Sequence, residues 1–355
     1  MTELTTKERI SRMFAHRDAD RVPITDDPWS STLARWHREG MPEGMDFRDY
    51  FGIDKFSSIG VDNSPRYPER VLEDTADYTV TTSNFGVTMK QWKNVNSTPQ
   101  FLEHTIVDSD SWRKAKERVT PTDDRINWGW LQKNYKRLRD EGQWISAFLW
   151  FGFDISHSWI SGTERVLMAI AEEPEWLTDM IGHMLDVSLT LFDRVWDAGY
   201  TFDSVTWCDD MGYKHNQFFS LNTYREFLKP YHQRAIDWAH GKGVVAELHS
   251  CGDVNPLVPE LVSMGLDGLN PLEVKAGMDP VALKGRYGGK LLLHGGVNAL
   301  LYEDEEALAA EIKRILPIMK ENGGYIFSTD HSVPSVVSLE EFRKVVELAK
   351  EYGKY

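Results

Sequence analysis

Cysteine is scarce in this chain of 355 residues: Cys208 and Cys251 are the two present, too few for the disulfide framework of a small secreted domain. Long apolar runs are missing as well. The hydrophobic residues, 41% of the total, are spread through the sequence, and no segment offers the roughly 20 consecutive apolar residues of a membrane span. Positive charge is in deficit: 40 Lys and Arg face 55 Asp and Glu, a formal net charge of −15. A field of that sign repels phosphate backbones and anionic lipid surfaces, so neither nucleic acid nor membrane is an expected partner. The opening from Met1 to Arg9 has no apolar stretch of the kind a secretion signal needs, and the expected setting is reducing and cytoplasmic. Pro/Gly/Ser-rich linkers, charge blocks and short-period repeats are also lacking, and nothing divides the chain into separate domains.

From about residue 143 onward, short apolar runs alternate with longer amphipathic stretches, the pattern of βα units around a parallel sheet. Leu177, Met180, Ile181, Met184, Leu185, Leu191, Phe192 and Val195 recur at helical spacing behind Pro174, which predicts a helix over 175–195. Strands are predicted at 202–207, 244–249, 268–272, 290–294 and 325–328, with helices at about 223–240 and 339–352. The first part is less regular. It suggests a helix at 5–15, a strand at 21–25, and a hairpin at 78–92 turning on Asn84-Phe85-Gly86, where the glycine supplies a positive φ. The fold class expected is α/β, a (β/α)8 TIM barrel spanning 1–355 as one domain, with N-terminal helical and hairpin elaborations carried by about 1–110.

Barrel active sites lie where the βα loops converge, at the C-terminal ends of the strands. Those ends carry Trp207-Cys208-Asp209-Asp210, His249-Ser250-Cys251-Gly252, Asn270-Pro271-Leu272-Glu273, His294-Gly295-Gly296 and Asp330-His331. His249 and Cys251 are two apart, so both side chains leave an extended strand on the same side, where imidazole and thiolate suit a zinc ion. A third ligand must come from a neighbouring strand end, and His331, Glu273 and His294 are available. Asp209 and Asp210 are candidates for holding or delivering a proton, although an N-cap role serves one of them equally well. Cys208 alternates with Trp207 and Asp209 along its strand and is read as a core residue. Trp144, Trp150, Phe151, Phe153, His157 and Trp159 crowd one segment; such a run serves a core or walls a pocket for an aromatic or methyl-bearing ligand. Tyr213 lies in a loop at the mouth. The candidate pocket residues are Trp207, Trp150, His157, Tyr213, Asn270 and His294.

Several segments together resemble the uroporphyrinogen decarboxylase superfamily: Thr6-Lys7-Glu8-Arg9, the run His16-Arg17-Asp18-Ala19-Asp20-Arg21-Val22-Pro23, the stretch Phe219-Ser220 to Pro230-Tyr231, and His249-Ser250-Cys251-Gly252. The resemblance spans nearly the whole chain and implies a (β/α)8 barrel. Within that superfamily, the His-x-Cys element is similar to that of the zinc-dependent, corrinoid-linked methyltransferases, whose third ligand is a Cys in the last strand–loop. Here His331 falls at that place, one good zinc ligand for another, which implies a His249, Cys251, His331 set with Glu273 as a displaceable fourth ligand or supporting partner. The decarboxylases themselves are similar to one another in an Arg-rich N-terminal loop. The corresponding stretch here, Ile24-Thr25-Asp26-Asp27-Pro28-Trp29-Ser30, is acidic and aromatic and ill suited to a polyanionic tetrapyrrole.

The function expected is zinc-dependent methyl transfer, demethylating a small aromatic methyl ether and passing the methyl to a corrinoid (cobalamin) on a separate protein. A set with a single thiolate leaves the metal electrophilic, which favours the ether over the reverse transfer from methylcobalamin to a thiol. Metal-free decarboxylation of the uroporphyrinogen type, thiol methylation, and a non-catalytic metal- or corrinoid-binding barrel are the alternatives. Self-association into a homodimer stays open.

Overall fold

The structure, a computed structural model, describes residues 3–94 and 98–355. Parallel strands form a curled sheet in the order β1(Phe56–Gly60), β6(Trp144–Leu149), β7(Ser204–Cys208), β10(Val245–His249), β11(Gly268–Asn270), β12(Leu292–His294) and β13(Tyr325–Ile326). Residues 21–25 close the ring. Ile24 bridges in parallel to Phe327, Thr25 N donates to Phe327 O at 2.9 Å, and Ile24 O accepts from Asp54 N at 2.9 Å just before β1. Residues 21–25, expected as a strand, form isolated bridges instead, and through them stand in the place of the eighth stave of a (β/α)8 barrel.

Helices return the chain between staves. α1(Thr6–Phe14), α2(Ser30–Arg38) and α3(Phe47–Phe51) precede β1, and α4(Ser109–Lys116) and α5(Trp128–Asp140) precede β6. α6(Thr163–Glu172) and α7(Pro174–Asp197) lead to β7, and α8(Leu221–Phe227) and α9(Lys229–Gly241) to β10. α10(Val258–Ser263), α11(Pro280–Tyr287) and α12(Glu305–Met319) serve β11, β12 and β13, and α13(Leu339–Tyr352) ends the wheel. The helix expected over 223–240 is broken at Leu228, just ahead of Pro230, which has no N–H to carry the helical hydrogen-bond ladder across the junction. Among the described residues no helix is long and apolar enough to cross a membrane.

The hairpin is larger than its sequence signal. β3(Tyr78–Thr82) and β4(Val87–Trp92) pair as expected around Gly86, φ +82°. They are flanked by β2(Arg70–Asp74) and β5(Gln100–His104) in an antiparallel sheet ordered β2-β3-β4-β5. A short ribbon of β8(Gly212–Tyr213) and β9(Asn216–Gln217) lies in the loop after β7.

The bottom of the barrel is plugged. Phe56, Trp144, Val245, Leu292 and Ile326, one from each of five staves, pack with Ile10, Met13 and Phe14 of α1 as a cluster separate from the main core. Two residues further along, the staves turn polar. Ser58 and Ser146 hydroxyls meet at 3.0 Å, and His294 joins Glu247 at 2.7 Å to Thr25 at 2.9 Å. Above that polar layer come the strand ends.

Candidate functional site

Cys208 closes β7 and His249 closes β10, and the two are Cα partners in the sheet. Their neighbours fix what stands above them. Cys208 Sγ, an Asp210 oxygen and a His249 ring nitrogen all lie within 4.8 Å of one another. Asp210 Oδ1 is 4.0 Å from Cys208 Sγ and 3.9 Å from His249 Nε2, and Cys251 Sγ is 3.4 Å from the same nitrogen. A tetrahedral zinc with arms of about 2.0–2.3 Å needs donor separations of about 3.3–3.8 Å. The separations of Asp210 from Cys208 and His249, and of Cys251 from His249, lie within a few tenths of an ångström of that range, and the Cys208, Asp210 and His249 donors all lie within 4.8 Å of one another.

Backbone geometry holds the two loops together. The loops after β7 and β10 cross at Gly212 and Gly252, where a Cβ on Gly252 would lie 2.1 Å from the Gly212 carbonyl carbon. Only glycine allows that approach, and Gly252 also takes φ +81°. Asp210 Oδ1 accepts from Cys251 N at 2.7 Å, and Glu273 accepts from Gly252 N. His249 is aimed by Asn270: Nδ1 donates to Asn270 Oδ1, which turns Nε2 toward the thiols and Asp210. Asn270 in turn donates Nδ2 to His294 O at 3.3 Å.

Behind this group lies a wholly buried chain. Asp209 Oδ2 pairs with His232 Nε2 at 2.8 Å, His232 Nδ1 meets the Tyr224 hydroxyl at 3.1 Å, and Asp209 Oδ1 accepts from Asp154 N at 2.7 Å. Asp154 reaches forward, its Oδ2 3.8 Å from Cys208 Sγ. Burial, then the Asp210 and Asp209 charges, push Asp154 up to about 7. Burial and the Asp210 and Asp154 carboxylates likewise push the Cys208 thiol up, and burial with Asp210 and Glu273 does the same to Cys251. Crowded acids and thiols of this kind are relieved by a bound cation, which reverses the local electrostatics and takes the thiols as thiolates. The donor set fits zinc.

The sequence-predicted residues fall into three places. His249, Cys251, Asp210 and Asn270 converge at the site just described. Glu273 stands beside it, its carboxylate on Gly252 N and 3.1 Å from Lys275 Nζ, a brace for the loop outside the donor group. His331 is elsewhere: its side chain is exposed, with its ring 6.2 Å from that of Trp29. The reason is the turn after β13, where Asp330 accepts from Val274 N and Ala299 N and Thr329 Oγ1 donates to His331 O, leaving the His331 side chain outward. Asp209 has both oxygens committed in the buried chain. Trp207 is fully buried against Phe151 and His232, away from any pocket. His294 sits in the polar layer with both nitrogens engaged. His157 is buried on Phe153 at 4.4 Å, with burial lowering it to about 4. Tyr213 is exposed beside Phe218, and Trp150 lies at an open cavity.

Two members of the site were not expected. Cys208 was assigned to the core, but the alternation runs the other way: Val205 and Trp207 join the main core, which sends Cys208 to the donor group. Asp154 lies in an irregular helical turn, Asp154 leading into Ile155–Ile160, with no motif of its own. Irregular turns of this π type recur at functional sites.

The uroporphyrinogen decarboxylase (URO-D) family model matches residues 72–352. The chain belongs to the uroporphyrinogen decarboxylase family. A methyltransferase from Methanosarcina mazei shares its fold over 99% of both chains, with TM-score 0.67 and 17% identity. Weaker likeness, TM-score 0.38, is found to a psychrophilic family 10 endo-beta-1,4-xylanase (13% identity, 61% of this chain, 75% of that one) and to TsXylA, an intracellular xylanase from Thermoanaerobacterium saccharolyticum (12% identity, 63% and 76%). Neither xylanase bears on function. A search of curated protein sequences returned no significant match.

Proposed function

We propose that this URO-D family protein is a zinc-dependent methyltransferase that demethylates a small aromatic methyl ether and hands the methyl to a corrinoid on a separate protein. The observation that carries the reading is the convergence of Cys208, Asp210 and His249 within 4.8 Å at the barrel mouth, with Cys251 beside them and Asn270 setting the imidazole. These residues would hold the metal, replacing the expected set that included His331. When bound, zinc supplies Lewis acidity toward the ether oxygen and the partner's corrinoid supplies the methyl acceptor.

The chain's own part is positional and protonic. Asn270 keeps His249 in the tautomer with Nε2 free. Asp210 fixes the Cys251 backbone through its N–H. Asp154, whose Oδ2 stands 3.8 Å from Cys208 Sγ at the edge of the donor group, is placed to deliver the proton that the leaving phenolate oxygen takes up, the role expected of Asp209 or Asp210. The argument from a weakly charged ligand set no longer favours the ether, since two thiols and a carboxylate surround the site. Support for the ether comes instead from an aromatic cavity one strand away.

The competing reading is metal-free decarboxylation, which the family match also accommodates. Acidic groups at the mouth, Asp210 and Glu273, oppose it because they repel a polycarboxylate. The test is metal analysis of the purified protein followed by incubation with reduced corrinoid and methoxyarenes. About one zinc per chain with release of the demethylated phenol supports the proposal. Consumption of methylated corrinoid by a thiol reverses the direction, and loss of CO₂ from uroporphyrinogen overturns it.

A further inference from the structure

The inserted sheet does more than decorate the barrel. Its turn, Ser83 to Phe85, leans over the ends of β1 and β6 and closes one wall of a cavity of about 420 Å³, within the range of small-ligand pockets. Three aromatic rings face this space. Trp150 lies 6.2 Å from Phe85 at an interplanar angle of 33°, and 6.2 Å from Trp159 at 89°, so two tryptophans meet edge to face with a phenylalanine over one of them. Trp159 is braced by Phe101 at 5.2 Å, and the Trp150 carbonyl is pinned by Asn63 Nδ2 at 2.6 Å. Trp150 nonetheless remains 38% exposed, a large apolar ring left open at the barrel mouth.

Polar residues line the cavity too, among them Asp62, Asn84, Arg125 and Asn127, and Arg125 props the surrounding loops from beneath. Arg125 has a side chain 2% exposed. It gives Nη1 to Asp62 O and Ser64 O and Nη2 to Arg118 O, yet its Nε is buried with no hydrogen-bond partner. The cavity adjoins the metal-capable group: Trp150 directly follows Leu149, which pairs with Trp207, the residue before Cys208.

We propose that this cavity binds the planar aromatic ring of the ligand, the ring against Trp150, Trp159 and Phe85 and a polar substituent other than the ether oxygen toward Asn84 and Asn127, which also line the cavity. The inserted turn is then a specificity element. The assignment rests on the methyl-transfer reading for the statement that the ligand is an ether; the binding itself needs neither metal nor corrinoid.

The experiment is calorimetric titration of the metal-free protein with 3,4-dimethoxybenzoate and with its ring-saturated analogue, for the wild type and for Trp150→Leu, Trp159→Leu and Phe85→Leu. Circular dichroism of each variant checks that the fold is intact. The aromatic acid should bind, the saturated analogue at least tenfold more weakly, and each leucine variant about three- to tenfold more weakly, as loss of one ring contact implies. No binding to the wild type, equal binding of the saturated analogue, or unchanged affinity in both tryptophan variants overturns the assignment. Binding as expected without methyl transfer by the zinc-loaded enzyme and corrinoid sinks the methyl-transfer reading and leaves the cavity standing. Turnover of the ether with KM unchanged in Trp150→Leu has the opposite meaning.

Discussion

Replacing Cys208 by alanine separates the donor group seen in the structure from the one the sequence suggests. Apparent zinc affinities of closed four-ligand sites correspond to roughly 10–16 kcal/mol, so one ligand in four carries about 3 kcal/mol. At about 1.4 kcal/mol per tenfold, Cys208→Ala should weaken zinc binding by about a hundredfold. His331→Ala should leave it within about twofold, because that ring lies by Trp29 and not in the donor group. Asn270→Leu falls between them: it removes the hydrogen bond that turns His249 Nε2 inward, and loss of such an orienting partner costs about 10–100-fold in metal affinity. Competition with a chromophoric chelator measures all three, and the visible spectrum of the cobalt(II)-loaded protein reports whether thiolate is among the ligands. Should His331→Ala lose as much affinity as Cys208→Ala, the loop after β13 must swing inward on metal binding, and the site geometry argued above is refuted.

Three further outcomes follow from the same contacts. Arg9→Met should destabilise the protein by about 3–5 kcal/mol, read as a fall in melting temperature, because Asp54 is fully buried and takes its charge partners from Arg9 and Arg21. Against burial, which raises it, Arg9 holds Asp20 down to about 2; that stability is present above pH 4 and is lost as pH falls toward 2, so the acid limb should flatten in Arg9→Met. Asp26 has the opposite sign. Burial raises it to about 7, the folded state keeps a proton the unfolded chain has released, and stability should fall as pH rises from about 4 to 7; a melting curve series on Asp26→Asn that retains this slope would show another group to be responsible. His232→Leu leaves Asp209 buried without its partner and should cost about 3 kcal/mol; a loss below 1 kcal/mol in chemical denaturation would mean that Asp209 is held neutral.

Much of the wheel was legible because its signals are local. The last helix begins and ends where the sequence indicates, Leu339 to Tyr352, since Ser338 and Glu341 form a capping box and the apolar spacing runs unbroken. The ends of β7 and β10 were legible for the same reason, and with them Asp210, His249 and Cys251. β2 and β5 were missed because their residues are largely exposed and carry no alternation to read. Side-chain direction was the harder quantity. The period-2 rule separated Cys208 from Trp207, but which face turned inward depended on what covered the strand outside, and that was settled by Phe151 and His232. For His331, a strand of two residues, Tyr325–Ile326, sets no direction that persists five residues on.

The closed lower barrel places the proposed chemistry at the rim. A substrate descending between the staves meets His294, whose nitrogens are already committed to Glu247 and Thr25, and below it the apolar plug that α1 makes with Trp144, Leu292 and Ile326. The Ser58, Ser146, Glu247, Thr25 and His294 side chains of that polar layer already have partners. Above them, two features lie on adjoining stave ends: the cavity walled by Trp150, Trp159 and Phe85 over β1 and β6, and the Cys208, Asp210 and His249 donors over β7 and β10. A ring held at the first is one strand away from the second, since Leu149 of β6 pairs with Trp207 of β7. That neighbourhood is what a methyl ether needs if its ring is to be recognised in one place and its oxygen polarised in the next. It also accounts for the insertion between β1 and β6, because the Ser83–Phe85 turn is the wall that a bare barrel would lack.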